Sequence, residues 1–574
     1  MVKSTTIAMI APGLGMVLAL AMAWAGAGNA ASASAEADRA TIDRLVGNLS
    51  SSSRLVREAA EKRLMEIGLP AVRALRAAAE SGNEQVRSRA AALLLAIAQA
   101  REACVKELGK VPQPFKDTGL FISPDGEHYG YILRRGPKAI LVYDGNQGPA
   151  WDSILYTGPF SPDGKWFVYQ AREGKDSFIV FAGEKKAPIP VPCTGRVVYS
   201  GGGRRFAYCA AGDGESWLVC DGKPGPRYQR TGAFGFSRDG KRFAYVARSG
   251  DGTEFVVLDG KALEAHKTVG SIAFSPDGER FAYAATDAND AAFVVLDGKA
   301  LEDCEQVRSL VFSPDGKHLA YIARRLGNQM LVCDGRQWPG YARVFYPMFS
   351  PDSNSLACWA RSADAKQHFV IRDGRQIVQT DDEPRLVFSP DGKTLACSTW
   401  NGSQVYRLEE KVELLAAGQD AASDPVFSPD GRHIAYEIGK SKKWWVCVDG
   451  KDLAGQYDPE SVMYWDGVSS SGSQMILAPP GFSADGRHVY FKGFRGPPGY
   501  VGPEKREHFI VCDGVEGPPH EGLWIPSGLT NRTKLLRYVV RDGDRVRLME
   551  TTWPESITWQ DAIERERVEA PLNR

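Results

Sequence analysis

A recurring set of aromatic and histidine side chains is the first feature of this chain suited to binding a ligand. Each stands seven residues after the Asp of an Asp-Gly pair, or eight in the last case. The set is Trp151, Tyr228, His266, Tyr341, His520 and Tyr457. Planar rings with a polar edge stack on sugars and hydrogen-bond to peptides. The spacing therefore predicts a collar around a sugar chain or an extended peptide. The alternative is packing on a neighbouring unit, which Cys304 and Thr380 at matching places favour.

A second candidate region is the largest departure from the regular spacing of the chain. Turn residues elsewhere recur every 37 to 39 residues, but Asp430 and Asp485 are 55 residues apart. Insertions in repeat arrays form loops on one face, which is often the binding face. The contact candidates here are Tyr457, Tyr464, Trp465, Arg495, Tyr500, Lys505 and Arg506. The alternative is that the insertion only lengthens a loop.

Signatures of catalysis and metal binding are missing from the sequence. It has no GxSxG elbow, Walker loop, HExxH or Rossmann fingerprint. The turn aspartates are lone carboxylates, whereas Ca²⁺ needs clustered oxygen ligands. Four histidines share one repeat position with arginines, which indicates a solvated strand start instead of a metal ligand. They are His128, His318, His433 and His488. We predict no catalytic residue, no metal and no cofactor.

Composition limits the classes of partner. The 574 residues include 70 Lys plus Arg and 70 Asp plus Glu, so no net positive field attracts phosphates, and we expect no nucleic-acid partner. The ten cysteines include no CxxC pair. Cys220, Cys333 and Cys512 stand where sister repeats have Leu, which predicts buried thiols, with one or two scattered disulfides as the alternative.

The N-terminus has the pattern of an export signal. Lys3 precedes an apolar run from Ile7 to Ala25, and small residues follow as far as Ala35. This predicts a cleaved signal peptide over residues 1–35 and a periplasmic or extracellular protein without stable membrane insertion. The alternative is an uncleaved anchor, because the run approaches the length that spans a bilayer.

Residues 36–106 have a helical pattern. Apolar residues such as Leu55, Ala59 and Leu64 recur every three to five positions, and Gly68 with Pro70 breaks the run. Two copies of one helical hairpin begin at 56 and 86. The segment resembles a short pair of HEAT-type repeats, which implies a docking or capping element. The alternative is a simple helical stalk.

From residue 107 to 555 the chain repeats one supersecondary unit. The copy spanning 271–308 contains SIAF, RFAYAA, AFVVLDG and KALEDCEQV, which predict four antiparallel strands with tight turns at SPDG and LDGK. Ten copies are clear, and a weaker eleventh begins near Leu523. Their turn residues are Asp125, Asp163, Gly202, Asp239, Asp277, Asp315, Asp352, Asp391, Asp430 and Asp485.

The second strand of the unit alternates large and small residues, as in Phe243-Ala244-Tyr245 and Leu319-Ala320-Tyr321. One sheet face is therefore bulky and the other thin. Radial stacking of sheets lets each bulky face cover the next thin one. The pattern predicts sheets arranged around an axis.

The repeated FSPDGxxxAY hairpin resembles the TolB-type, WD-like β-propeller repeat over about residues 121–553. The resemblance implies an all-β propeller of ten or eleven four-stranded blades after a small α-helical repeat domain. Because single propellers have four to eight blades, we favour two rings over one large ring. We expect closure through KVPQPFKDTGLF pairing with the last copy, and a C-terminal tail over 556–574.

Loop positions indicate where a ligand binds. The SPDG and LDGK turns must share one rim, because successive antiparallel strands place alternate turns at opposite ends. The other rim carries the variable loops, where function usually resides. We predict an exported, non-catalytic scaffold that binds a protein or carbohydrate there. The alternative is a propeller hydrolase or lyase acting on extracellular polymers, which needs two converging carboxylates or histidines near the central channel.

Overall fold

A computed structural model describes residues 39–68, 71–111, 120–182, 197–399, 404–409, 411–417, 421–440, 443–457, 480–495, 507–526, 535–552 and 559–560. The predicted signal peptide lies outside these residues. Within the described part of the chain, no helix is both long and apolar enough to cross a membrane.

Among the described residues, four α-helices precede the sheets and confirm the helical pattern of the N-terminal region. They are α1 (Arg39–Gly47), α2 (Arg54–Ile67), α3 (Val72–Ala79) and α4 (Glu84–Arg101). Asn83 starts α4 by accepting hydrogen bonds from the backbone N–H groups of Gln85 and Val86. Leu64 and Leu75 are fully buried in the shared core of the helices.

Eleven small antiparallel sheets follow, and each is one blade. Strand β1 (Glu102–Lys110) directly follows α4. Blades one to three comprise β2 (Phe121–Ile122), β3 (Tyr129–Arg135), β4 (Lys138–Tyr143), β5 (Asn146–Trp151); β6 (Ser153–Phe160), β7 (Phe167–Glu173), β8 (Asp176–Ala182); and β9 (Val198–Tyr199), β10 (Phe206–Gly212), β11 (Glu215–Cys220), β12 (Lys223–Pro224).

The middle of the chain forms four regular blades. Blades four to seven comprise β13 (Arg230–Phe236), β14 (Phe243–Arg248), β15 (Glu254–Leu258), β16 (Lys261–His266); β17 (Thr268–Phe274), β18 (Phe281–Thr286), β19 (Ala292–Leu296), β20 (Lys299–Ala300); β21 (Gln306–Phe312), β22 (Leu319–Arg325), β23 (Asn328–Cys333), β24 (Arg336–Gln337); and β25 (Arg343–Phe349), β26 (Leu356–Arg361), β27 (His368–Arg372), β28 (Arg375–Thr380). Neighbouring strands in each of these blades pair antiparallel, as the repeated unit predicts.

The last four blades vary more. Blades eight to eleven comprise β29 (Pro384–Phe388), β30 (Leu395–Thr399), β31 (Gln404–Leu408), β32 (Val412–Ala417); β33 (Ala421–Ala422), β34 (Val426–Phe427), β35 (Ile434–Lys440), β36 (Lys443–Val448), β37 (Lys451–Tyr457); β38 (Gly481–Phe482), β39 (Val489–Arg495), β40 (Glu507–Cys512), β41 (Val515–Glu516); and β42 (Gly522–Trp524), β43 (Leu535–Asp542), β44 (Arg545–Thr552). In the ninth blade β33 and β34 pair with the same strand, β35.

The blades form one closed ring. Separate hydrophobic clusters join each blade to the next, and one cluster joins Val546 and Leu548 of the eleventh blade to Tyr129 and Tyr131 of the first. The expected two rings are therefore wrong, and the chain is a single eleven-bladed β-propeller. Its blades meet as predicted, bulky face on thin face.

Blades four to six show how the faces meet. Ala244 on the thin face of the fourth blade shares a hydrophobic cluster with Phe281 and Tyr283 of the fifth. In the same way, Ala282 of the fifth blade shares a cluster with Tyr321 of the sixth. A methyl group opposite a large ring keeps the sheets at close-packed density. The large-small alternation therefore specifies the interface between blades.

The ring is closed by the N-terminal segment. Strand β1 pairs antiparallel with β44 from Glu102 opposite Thr551 to Lys110 opposite Arg545, so it is the outermost strand of the eleventh blade. Closure by an N-terminal stretch agrees with the sequence, but the strand lies upstream of most of KVPQPFKDTGLF. It also starts inside the segment assigned to the helical domain, which ends at Arg101 in the structure.

The C-terminal tail also contributes to the ring. Trp559 is buried between the ninth and tenth blades among Val446, Val448 and Phe482. Its indole Nε1 donates a hydrogen bond to the Gly486 carbonyl at 3.2 Å. This part of the predicted tail therefore packs as core.

The SPDG turns link neighbouring blades. In the fifth blade, Ser275 Oγ donates a hydrogen bond to Asp277, and the same Asp277 oxygen accepts one from the Glu279 backbone N–H. These hydrogen bonds lower the pKa of Asp277. Arg280 Nε then contacts Asp297 at 2.9 Å, while its Nη1 donates to the Lys317 carbonyl of the sixth blade at 2.8 Å. The turn residues thus serve the architecture of one rim.

Substituting Gly278 by Val is expected to lower the free energy of unfolding by about 3 kcal/mol. Gly278 has a φ of +76°, and a Cβ there would lie 3.2 Å from Ser237 Cβ and 3.3 Å from Asp239 Oδ1 of the preceding blade. Gly298→Val is the matched control, because Gly298 has a φ of +82° but no neighbour within 4 Å. Chemical denaturation of both variants measures the difference. An unchanged midpoint for Gly278→Val would contradict the turn assignment.

Candidate ligand-binding site on the inner wall

Four residues of the predicted collar pack on the following blade. Trp151 Nε1 donates a hydrogen bond to the Tyr169 hydroxyl at 3.3 Å, and His266 Nε2 lies 3.2 Å from the Tyr283 hydroxyl. The Tyr228 ring lies 5.6 Å from that of Phe255, and the Tyr341 ring 5.8 Å from that of Phe369. These contacts match the packing alternative of the sequence analysis. A ligand role for these residues stays a prediction.

The candidates from the insertion are only partly within the described residues. Tyr457 ends β37 and Arg495 ends β39. The other insertion candidates, Tyr464, Trp465, Tyr500, Lys505 and Arg506, lie outside the described residues.

His520 belongs to a buried cluster of charged side chains at the ring closure. Its Nε2 lies 3.0 Å from Glu102 Oε1 of β1, and its Nδ1 lies 2.8 Å from Asp542 Oδ2 of β43. The Tyr538 hydroxyl also donates to Glu102, and Arg547 contacts Asp542. A cavity of about 360 Å³ borders this group and is lined by Gln99, Glu102, Cys104, Pro518, Pro519, His520, Asp542, Arg547 and Met549.

The electrostatics of this cluster favour a structural role. Burial acts to lower the pKa of His520, but the hydrogen bonds and charges of Asp542 and Glu102 outweigh it and raise that pKa to about 9. Both ring nitrogens are occupied by carboxylates. A general base near neutral pH needs a free nitrogen and a pKa near 7. The imidazolium therefore joins β1 to β43 instead of accepting a proton from a substrate.

The first strands of the blades line the axis of the ring, and we call them the inner wall. The first strands β13, β17, β21 and β25 of four successive blades contact one another, as innermost strands do in a propeller. Side chains exposed on the inner wall therefore face the central channel. They lie between the SPDG rim and the variable rim.

The seventh blade carries an aromatic platform at the inner wall, formed by Phe345 and Tyr346 of β25 and by Trp359 of the adjacent strand β26. The Phe345 and Trp359 rings stack with centroids 4.1 Å apart and an interplanar angle of 15°. The Tyr346 ring lies 6.5 Å from each of them and is 75 % exposed, whereas Trp359 is 2 % exposed. A stacked pair, Trp359 buried and Phe345 half-buried, thus supports one exposed ring.

The backbone at Tyr346 is strained. A β-bulge places Tyr346 and Pro347 opposite Cys358 alone, and Tyr346 has a φ of +46°. Left-handed backbone is costly for a residue with a bulky side chain. Bulges next to functional sites redirect side chains, and here the bulge leaves Tyr346 exposed. The same bulge recurs in blades four to six, and Ser309 has a φ of +55° at the matching position of the sixth blade, so the backbone belongs to the repeat and the exposed tyrosine side chain is what distinguishes the seventh blade.

Sister blades lack this platform. The positions of Phe345 and Trp359 are occupied by Gly232 and Val246 in the fourth blade, where a Cβ on the glycine would lie 3.4 Å from Val246 Cβ. The fifth blade has Gly270 in the same place. Recurring residues do not reveal the platform, because Phe345 and Trp359 are not repeated in blades four and five. The sequence signal for the platform is a departure from the repeat, the segment VFYPMF in the first strand of the seventh blade.

Metal chemistry finds no support in the described residues. Among them, no group of three or more His, Cys, Asp and Glu side chains is placed to hold a metal ion. His128, His318 and His433 instead pair with the Asp of the Asp-Gly turn in their own blade, at 2.6 to 2.7 Å. His488 makes the same contact with Asp513 but is buried, so it does not fit the predicted solvated strand start.

Comparisons with known proteins find only distant similarity. No protein family and no curated protein matches the chain. TolB from Acinetobacter baumannii is 16% identical over 48% of this chain and 80% of its own, with a TM-score of 0.21. The β-propeller domain of the Trilobed protease from Pyrococcus furiosus is 12% identical, covering 46% and 97%, with a TM-score of 0.26. An oligogalacturonate lyase in complex with manganese is 14% identical, covering 54% and 98%, with a TM-score of 0.26.

The eleven blades of the structure define the class of protein as β-propeller, and the comparisons leave its activity open. Identities and scores this low carry no inference about a ligand or a reaction. None of these comparisons supports the HEAT likeness of the helices.

Proposed function

We propose that the protein is an exported, non-catalytic scaffold that binds a protein or a glycan on the inner wall, next to the variable rim. The observation that carries the proposal is the exposed Tyr346 ring on its stacked base of Phe345 and Trp359. Exposed, rigidly supported aromatic rings anchor ligands at low entropic cost. The backbone strain at Tyr346 persists because the surrounding sheet holds it.

The chemistry of the inner wall favours binding over catalysis. A propeller hydrolase or lyase needs converging acids or histidines at the channel. The described first strands contain no Asp, Glu, His or Cys. An aromatic surface without such groups holds a ligand but lacks the converging acids or histidines that this chemistry uses.

The helices fit a supporting role in this proposal. They resemble HEAT-type repeats in sequence, and α4 continues directly into β1. Their core also contacts Val515 of the tenth blade. We assign them a capping role at the ring closure, separate from ligand binding at the inner wall.

Substituting Tyr346 by Ala is expected to weaken ligand binding at least tenfold, because it removes the central exposed anchor. The test compares wild type and variant, both without residues 1–35, on a glycan array and in pulldowns from the extracellular fraction of the native host. Leu414→Ala is the matched control, since Leu414 is a half-exposed apolar residue on β32, the outermost strand of the eighth blade. The proposal fails if every ligand of the wild type binds the Tyr346→Ala variant equally well.

A further inference from the structure

All formal charges on the described first strands are positive. These strands contain Arg230, Arg308, Arg343 and Arg385 and no acidic residue. The whole chain, in contrast, has equal numbers of acidic and basic residues. A channel lined only by positive charges attracts anions and raises their local concentration, even when the protein as a whole is neutral. The inner wall is therefore suited to an anion.

Three of these arginines are available to a ligand. Arg385 is neutralised by Asp424 of the ninth blade, whose Oδ1 lies 2.9 Å from Arg385 Nη1. Arg230, Arg308 and Arg343 are exposed, and no ion pair or side-chain hydrogen bond to them is formed within the described residues. Unpaired guanidinium groups are the usual means of recognising carboxylate and phosphate groups.

Two of them also face a second arginine across the sheet. Arg230 lies directly opposite Arg248, and Arg343 directly opposite Arg361. Like charges at directly opposed positions destabilise an antiparallel pair. Arg361 is only weakly compensated, with Glu383 at 3.7 Å. A bound anion would remove this repulsion.

The arrangement selects an extended anion over a small one. The two Arg pairs stand on blades four and seven, with two blades between them, and Arg308 stands on the sixth blade. One phosphate or acetate ion is too small to contact both pairs. Between them the wall is lined by small residues, Gly270 and Ser309, which let a chain approach the backbone.

We propose that the inner wall of blades four to seven binds an acidic polysaccharide of the uronic acid type. The arginines bind its carboxylates, and Tyr346 stacks on the face of one sugar ring. This inference rests on the proposed function and narrows its ligand. A single exposed aromatic ring among separated arginines fits one stacked sugar within an anionic chain. A nucleic acid would instead favour several aromatic rings for successive bases.

The test measures dissociation constants of the chain without residues 1–35 by calorimetry. The probes are hexamers of mannuronate and of galacturonate, a neutral glucose hexamer, a hexaglutamate peptide and a six-base oligothymidylate. We expect a uronate hexamer to bind at least tenfold more tightly than the other three probes. We also expect its affinity to fall as salt is raised from 0.05 to 0.5 M, because salt screens exposed charges.

Arginine variants separate this site from general attraction. Arg343→Gln and Arg308→Gln are each expected to weaken uronate binding about tenfold. The matched controls are Arg375→Gln and Arg336→Gln, exposed arginines on the outermost strands of the same two blades, and we expect no change. Thermal melts check that all four variants fold.

Each remaining outcome has a defined meaning. Equal binding of the neutral hexamer, or unchanged uronate binding by Arg343→Gln and Arg308→Gln, overturns the acidic ligand but leaves a Tyr346-dependent scaffold intact. Equal or tighter binding of hexaglutamate or oligothymidylate overturns the glycan assignment. If neither uronate binds while other ligands depend on Tyr346, only this inference fails. If no ligand depends on Tyr346, the proposed function fails as well.

Discussion

A chain that begins at residue 112 is expected to lose the cooperative melting transition of the full protein. It lacks β1, so the eleventh blade loses its outermost strand and β44 becomes an open edge. Unpaired edges attract other chains, so we also expect soluble oligomers or aggregates. Calorimetry and size-exclusion chromatography measure both effects. A monomer that melts at the temperature of the full chain would contradict closure by β1.

A chain that begins at residue 102 is the control for this experiment. It lacks α1 to α4 but keeps the whole of β1 and its pairing from Glu102 to Lys110. We expect it to remain monomeric and to melt cooperatively. If it fails in the same way as the shorter chain, the helices and not β1 hold the ring together.

The blade interfaces could be predicted from the sequence because they are local. Alternation such as Phe243-Ala244-Tyr245 defines a bulky and a thin face within one strand, and the clusters repeat that contact around the ring. The number of blades per ring, in contrast, could not be predicted from local sequence. It depends on a small rotation between neighbouring sheets, which no residue pattern encodes. The preference for two rings came from the usual size of propellers and not from this chain.

The closing strand was misplaced because its local pattern is weak. EACVKELGK follows directly on α4 and lacks the clean alternation of a half-buried strand, with most of its residues exposed. Its strand conformation comes from pairing with β44, more than 430 residues further along the chain. Tertiary context of this kind overrides local propensity.

The collar residues and the Tyr346 platform show what regular spacing can and cannot reveal about a binding site. The collar residues recur at a regular interval along the chain. Packing between repeated blades requires the same regular interval, and Trp151 is accordingly buried against Tyr169. Tyr346 has no aromatic counterpart in blades four to six, where the same repeat position holds Ala233, Ser271 and Ser309. In a repeat protein, a large residue at a position that is small in the neighbouring repeats is the better indicator of function.

Substituting His520 by Ala is expected to lower the free energy of unfolding by about 3 kcal/mol, because it leaves a buried carboxylate without its cation. The side chain of Glu102 is 8% exposed and that of His520 6%. Chemical denaturation at pH 6 measures the loss. His318→Ala is the matched control, since His318 contacts Asp334 at 2.6 Å but their side chains are 45% and 46% exposed. We expect that variant to lose about 1 kcal/mol or less.

The same substitution predicts a change in pH dependence. The pKa of His520 is about 9 in the folded protein and about 6.5 in an unfolded chain, so the folded state holds the proton more tightly. The stabilisation is therefore complete below pH 6.5 and is lost as pH rises towards and through 9. The melting temperature of the wild type should approach that of His520→Ala over this interval. A constant difference between pH 6 and 9.5 would show that His520 holds the ring closed by packing alone and not through its charge.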